Sequence, residues 1–351
     1  MVIAHLLLLI VGFALLVKGS DFLIEASSRI AKRLGVSEFI IGLTLVAVGT
    51  SIPELFTSIV AVITKNTDII IGNIIGSNIA NIGLILGISA IIGTISIKKS
   101  MIVRDGHILM AIGLIFYVLI FNRTIASPEG IVFLIIYLSY IMFLFSSKET
   151  KKIYDFKDFL NYTLKFKYLK TIKNETIKTI FKRKKEATAK EKKEFFHFKQ
   201  GLIKDMLIVI ISIIAIIYGA KYLITEAVWF AEFIGISTTA IGITVVALGT
   251  SLPELSVAIR AARKGLGDMI IGNVIGSNIS NILLILGITS IIKTLSIPRT
   301  TLLFSIPFLI IQSLLLLAFM KTKSKITKTE GISLLITYLV FILLIFCFGL
   351  S

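Results

Sequence analysis

The sequence predicts an all-α integral membrane protein of ten transmembrane helices, built as two inverted five-helix repeats with broken helices at their centre. Three observations carry that reading. The chain of 351 residues is 56% hydrophobic and only 16% charged, with mean hydropathy +0.96, whereas soluble domains are roughly a quarter charged. Apolar runs of roughly 20 residues, long enough to cross a bilayer, recur along almost the whole length. Finally, GLTLVAVGTSIPEL from Gly42 returns as GITVVALGTSLPEL from Gly242, and IGNIIGSNIANIGLILGIS from Ile71 returns as IGNVIGSNISNILLILGIT from Ile271, both at an offset of 200 residues.

The apolar runs place helices at about 2–24, 37–63, 68–92, 102–121, 128–146, 202–229, 237–262, 268–292, 300–320 and 330–350. The alternation of a membrane barrel is absent, so helices win over strands. Five helices per half is an odd number, so the second half starts from the opposite side of the membrane and the repeats are inverted. The opening run MVIAHLLLLIVGFALL lacks the basic start and small-residue cleavage site of a signal peptide. Gly19 just after it aligns with Gly219, so the run reads as helix 1. The divisions are a first repeat over 1–146, a basic loop over 147–201 and a second repeat over 202–351.

The formal net charge is +17, and its distribution marks topology, with no nucleic-acid partner expected. Lys and Arg gather in alternate loops: Arg29, Lys32 and Arg33; Lys98, Lys99 and Arg104; the 147–201 segment; Arg260, Arg263 and Lys264; Lys321, Lys323, Lys325 and Lys328. The positive-inside rule makes those loops cytoplasmic and leaves both termini extracellular. The 147–201 segment reads either as a solvated linker or as interfacial amphipathic helices whose basic side chains meet anionic lipid headgroups. Cys347, the only cysteine, excludes an internal disulfide and a cysteine metal cage. The lack of a long regulatory domain or targeting segment points to a prokaryotic cell membrane, crossed many times. Oligomeric state is left open by the sequence.

Charged side chains at membrane depth line ion or substrate paths, and each half has one inside its duplicated GTSxPEL motif, Glu54 and Glu254. Proline removes a donor and glycine tolerates unusual dihedrals, so the motif predicts a helix break. Such backbone survives at depth only when it is buried in protein or lines a cavity. The oxygens offered are the hydroxyls of Thr50, Ser51, Thr250 and Ser251, nearby carbonyls and the two carboxylates, a set suited to a hard cation such as Ca²⁺. The next helix of each half adds Ser77, Asn78 and Asn81, or Ser277, Asn278 and Asn281, with Asn78 and Asn81 on one face. Blander readings stand beside these. Gly72 with Gly76, and Gly272 with Gly276, have the spacing of close helix packing. The Ser and Asn side chains would equally serve as interhelical hydrogen bonds, and the glutamates as structural carboxylates. Lys18 aligns with Tyr218 and Lys221 with Asp21, so no symmetric Glu–Lys pair is on offer. His5, His107 and His197 are scattered and propose no histidine metal site. Asp68 and Asp268 read as helix-start carboxylates, and Asp21 as a membrane-end residue. No phosphate loop, dinucleotide fingerprint, zinc motif or nucleophile–base pair is present, so neither an enzyme nor a cofactor is expected.

At these two motifs the chain resembles the cation/calcium exchanger superfamily, in its prokaryotic sodium/calcium exchanger branch. The resemblance implies ten helices around a central ion site, with Glu54 and Glu254 as the main acidic ligands. It implies hydroxyl ligands from Thr50, Ser51, Thr250 and Ser251, carbonyls from Ala47 and Ala247, sodium positions lined by Ser77 and Ser277, and a middle lined by Asn81 and Asn281. Helices 1 and 6 would slide across the core. One departure stands out: many relatives carry Asp where this chain has Asn281, so the site holds two formal negative charges. The resulting expectation is antiport of Ca²⁺ against Na⁺ by alternating access at a two-glutamate site, the ions being cargo and no cofactor being used. A Ca²⁺/H⁺ antiporter is the alternative, and a cation channel a more distant one.

Overall fold

The structure is a computed structural model that describes residues 2–34, 36–63, 67–146, 154–169, 189–233, 251–322 and 324–348. In chain order the helices are α1 (Val2–Leu34), α2 (Glu38–Ile63), α3 (Ile70–Ile92), α4 (Met101–Leu119) and α5 (Ser127–Ser146). After them come α6 (Phe156–Leu164), α7 (Ala189–Phe233), α8 (Leu252–Arg263), α9 (Gly267–Ile292), α10 (Thr301–Lys321) and α11 (Lys328–Phe348). Among the described residues, nine helices are long and apolar enough to cross a membrane. Of the run expected at 237–262, α8 is the described part, and 237–250 lie outside the described residues.

Local chemistry starts the helices where the sequence offers a cap. Ser37 accepts the Ile40 amide ahead of α2. Asp155 and Asp158 form a reciprocal capping box on α6, which satisfies two otherwise orphaned amides. Glu129 and Glu330, in the first turns of α5 and α11, accept the amides of Ala126 and Thr327. Four two-residue strands close the loops: β1 (Ile95–Ser96), β2 (Thr124–Ile125), β3 (Leu295–Ser296) and β4 (Lys325–Ile326). β1 pairs antiparallel with β4, and β2 with β3.

Burial sorts the helices into an inner and an outer set. Buried residues make up 78% of the apolar window of α3 and of α9, against 17% in α1 and 22% in the apolar part of α7. Outward side chains such as Phe13, Phe56, Val118, Ile211 and Leu343 are exposed, as a lipid-facing surface requires. The outer pair, α1 and α7, pack along one another and cross where a Cβ on Gly219 would lie 2.7 Å from the Leu16 nitrogen and 2.8 Å from the Gly12 carbonyl oxygen. Asp205 of α7 takes both Arg29 (2.7 Å) and Arg33 (2.9 Å) of α1. In the core, α9 lies so close to α2 that a Cβ on Gly276 would meet the Leu43 carbonyl and sit 2.8 Å from the Ala47 Cβ. Small residues thus set the approach of helices, as the glycine spacing in the second half predicts.

Several expectations are corrected. Helix 1 runs to Leu34, beyond position 24, and α7 begins at Ala189, inside the segment expected to be loop. The stretch from Ala189 to Gln200 is polar but rich in good helix formers and free of Gly and Pro, so it extends the helix that hydropathy detects only from about 202. The 147–201 segment is likewise not all linker: α6 buries Phe159 and Tyr162 and sets rings against Tyr140 and Phe143. Asp21 meets Arg260 at 3.6 Å. Asp268 sits in the first turn of α9 and pairs with Lys98.

The close approach at Gly276 yields the first prediction. Gly276→Ala lowers the thermal unfolding midpoint, by the equivalent of about 1–3 kcal/mol for overpacking against backbone. Gly113→Ala, whose Cβ would meet nothing nearer than 3.9 Å, leaves the midpoint unchanged or raises it. Fluorescence-detected melting of the two purified variants checks the contrast.

Candidate ion-binding site

The site is built where α2 is interrupted and where α8 begins. In α2 the helix pauses at Ser51 (φ −83°, ψ 7°) and resumes from Ile52; ahead of α8 the same geometry recurs at Ser251 (φ −89°, ψ 1°). Such near-zero ψ values lie in a sparsely populated region that functional residues often occupy. The expected break is milder than the motif implies. The Ser51 amide still reaches the Ala47 carbonyl at 3.0 Å, and the Leu55 amide the Ser51 carbonyl at 3.1 Å. Pro53 and Pro253 have no amide to donate; in α2 the turns on both sides of Ser51 are helical. Glu54 falls in the first turn after Ser51 and Glu254 in the first turn of α8, where the positive end of the helix dipole favours an anion.

Both glutamates are buried, at 1% and 2% exposure, and neither pairs with a basic side chain among the described residues. Ser51 Oγ donates to Glu254 Oε1 across the two halves at 3.2 Å. The remaining carboxylate oxygens, Oε2 of Glu54 and of Glu254, find no hydrogen-bond partner among the described residues, and neither do Ser277 Oγ, Asn81 Oδ1 and Asn281 Oδ1. Unsatisfied buried oxygens cost about 1–3 kcal/mol each, more when charged. Five of them lie on α2, α3, α8 and α9, the elements that carry the duplicated motifs.

The asparagines come from α3 and α9. Each helix widens into a π-helical turn that starts at the central residue, Asn81–Ile85 and Asn281–Ile285; such turns often mark functional positions. Asn81 Nδ2 donates to Asn278 Oδ1 and Asn281 Nδ2 to Asn78 Oδ1, both at 2.9 Å. Asn78 Nδ2 donates to the Asn278 main-chain oxygen and Asn278 Nδ2 to that of Asn78, both at 3.3 Å. The helix that carries Glu54 packs on the turn opened by Asn281, and α8 with Glu254 packs on the turn opened by Asn81.

Most residues expected at the site converge. Thr50, Ser51, Ser251, Ser77, Ser277, Asn81 and Asn281 are all buried beside the two glutamates' helices. The Ala47 carbonyl is buried but engaged, accepting from the Ser51 amide and from Thr50 Oγ1 at 3.3 Å. Ala247 and Thr250 lie outside the described residues. Sequence reasoning passed over Asn273, which is 1% exposed and whose Oδ1 lies 3.4 Å from Thr50 Oγ1, a hydroxyl that has the Val46 carbonyl nearer at 3.1 Å. Its spacing, one turn before Ser277 and two before Asn281, is the signal that would have found it. Asp105 was also missed: it is fully buried, held by Arg104 at 3.0 Å and by the Tyr140 hydroxyl at 3.1 Å. His5, expected to be isolated, meets Glu226 at 2.6 Å and stacks on Trp229 with centroids 3.8 Å apart. Among the described residues no three His, Cys, Asp or Glu come together, so hydroxyls and amides complete any coordination begun by the two glutamates. Fewer ligand charges mean weaker cation binding, which suits an ion that must be released.

The family model of the sodium/calcium exchanger protein matches residues 4–146 and 204–347. The chain is 43% identical to the sodium/calcium exchanger MaX1 of Methanosarcina acetivorans over 99% of each sequence. It is 34% identical over 146 residues to the human sodium/potassium/calcium exchanger 3, which is 40% of this chain and 22% of that one. Its fold matches the solved sodium-calcium exchanger NCX_Mj, soaked with 10 mM Na⁺ and zero Ca²⁺, with a TM-score of 0.76 and 32% identity over 97% of this chain and 98% of that one.

Burying two carboxylates side by side without a basic partner is costly, and neutralising one removes that cost. Glu254→Gln is therefore expected to melt at or above the native midpoint without ions and, if Glu254 holds Ca²⁺, to lose any upward shift that millimolar Ca²⁺ gives the native protein. Melting curves with and without Ca²⁺ measure both effects. A Ca²⁺ shift of native size in Glu254→Gln would remove Glu254 from the site.

Proposed function

Since this chain belongs to the sodium/calcium exchanger protein family, we propose that it exchanges Ca²⁺ for Na⁺ by alternating access at one site built on Glu54 and Glu254. It is a multi-pass membrane transporter and not an enzyme, and the ions are its cargo. The observation that carries the reading is the set of buried oxygens that find no hydrogen-bond partner among the described residues, Oε2 of both glutamates, Oδ1 of Asn81 and Asn281 and Oγ of Ser277. Thr50, Ser51, Ser77 and Ser251 add hydroxyls, with Thr250 and the carbonyls of Ala47 and Ala247 completing the proposed ligand set. Two carboxylates balance one Ca²⁺, or Na⁺ ions spread over the same oxygens, so the two ions compete. A site that moved while empty and charged would cross the occluded state unfavourably. Exchange is thereby favoured over leak.

The same reading has ten spanning helices, 237–262 supplying the one that is described only as α8, and two five-helix repeats inverted in the membrane. The strand pairs support the inversion. β1 has its sequence equivalent in β3, yet it pairs with β4, and β2 pairs with β3. Equivalent loops of parallel repeats would share a side; here each loop meets the loop one helix out of step. Both termini are placed outside and the 147–201 segment in the cytoplasm. In support, Arg33–Asp205, Lys264–Glu25 and Lys98–Asp268 tie four of the basic loop ends to one another. On α6 and just after it, Leu160, Leu164 and Phe166 are exposed beside Lys157, Lys165 and Lys167, which fits a helix lying in a headgroup layer with anionic lipid.

Both central positions, Asn81 and Asn281, are neutral amides, so the coupling ion is the point to test. In proteoliposomes loaded with Na⁺, an outward Na⁺ gradient drives Ca²⁺ uptake, and collapsing that gradient abolishes it at every fixed pH. Uptake that follows an outward proton gradient and ignores Na⁺ would assign Ca²⁺/H⁺ exchange instead. Flux that needs no counter-gradient and does not saturate would make the protein a channel.

A further inference from the structure

A side-chain amide has two ends of nearly equal size and opposite sign: an oxygen that attracts a cation and an NH₂ that repels it. Which end faces an ion is decided by hydrogen bonds alone. At Asn81 and Asn281 that decision is made by the opposite half of the molecule. The NH₂ groups are drawn onto Asn278 Oδ1 and Asn78 Oδ1 at 2.9 Å, and the oxygens are left without partners among the described residues. Asn78 and Asn278 cannot turn over in their own right, because each NH₂ is committed to the main-chain oxygen of the other at 3.3 Å. All four side chains are at most 2% exposed, so water does not stand in for a lost bond. Asn78 and Asn278 also border a cavity of about 10 Å³, walled by apolar side chains such as Leu109, Ile282 and Leu309. Their oxygens are thus spent on the neighbouring amides.

We propose that Asn78 and Asn278 are positioning residues, which hold Asn281 and Asn81 with the amide oxygen toward the transported ion. The inference rests on the proposed site, in which Asn81 and Asn281 are ligands. When Asn78 loses its side chain, the Asn281 NH₂ loses its acceptor. The amide then rotates, and a donor faces the cation where an oxygen stood.

The test is a mutant cycle on the full-length protein in proteoliposomes, reading the half-saturating Ca²⁺ and Na⁺ concentrations for Asn78→Ala, Asn281→Ala and the double variant. Asn78→Ala raises half-saturation about tenfold, the scale of one hydrogen bond to a charged group. Asn281→Ala raises it comparably, and the double variant is no worse than Asn281→Ala alone, because residues that act through one another are not additive. A generally loosened core would instead make the losses multiply. Multiplying losses, or native half-saturation in Asn78→Ala, overturn the proposal. Native half-saturation in Asn281→Ala would overturn the ligand assignment beneath it, a separable result. Asn78→Ser and the mirror cycle of Asn278 with Asn81 keep the test decisive if Asn78→Ala does not yield folded protein.

Discussion

The network of hydrogen bonds that runs from Asn81 through Asn278 and Asn78 to Asn281 is the contact on which the rest of the site depends. Every bond in it crosses from one half of the chain to the other. It is built from neutral groups that can be buried completely once paired. Each of the four NH₂ groups finds an acceptor across the halves, and the oxygens of Asn81 and Asn281 find no hydrogen-bond partner among the described residues. On the proposed reading, the network that joins the halves also supplies uncharged ligands.

Around this network the molecule divides its work by burial. The inner helices α2, α3, α8 and α9 carry the polar groups and pack where glycine allows backbone to meet backbone, as at Gly276. The outer helices α1 and α7 pair with each other and put most of their remaining surface outward. Their contact is tied at one end by Asp205 between two arginines and at the other by His5 against Glu226. Polar pairing at the ends and close packing at the crossing make the pair a coherent body. The sliding implied by family resemblance needs such a body, since helices moving independently would expose unpaired charge.

Much of this was legible in the sequence because duplication doubles the signal. A carboxylate next to proline in an apolar run is unusual once; recurring 200 residues later with its Thr and Ser neighbours, it points to a shared centre. The helices followed from hydropathy, apart from their ends: α7 begins at Ala189 because helix propensity extends past the apolar stretch. What stayed hidden depends on tertiary pairing. Nothing in the order of residues says that Asn78 faces Asn281 and not Asn81, or which end of an amide turns inward. The π-helical turns at Asn81 and Asn281 are set by packing against the opposite half. Asp105 drew no reading in the sequence, where only its neighbour Arg104 stood out; its burial beside Tyr140 is visible only in three dimensions. The motif also overstated the break at Ser51, since one missing amide at Pro53 bends a helix without unravelling it.

The central claim is that Ca²⁺ and Na⁺ occupy the same oxygens. Equilibrium Ca²⁺ binding to the purified protein at increasing Na⁺ tests it most directly, free of the complications of transport. One shared cage predicts that the half-saturating Ca²⁺ concentration climbs steadily with Na⁺ while the amount bound at saturation stays constant. If Na⁺ instead lowers the amount bound and leaves the half-saturating concentration unchanged, the ions hold separate sites and the account fails.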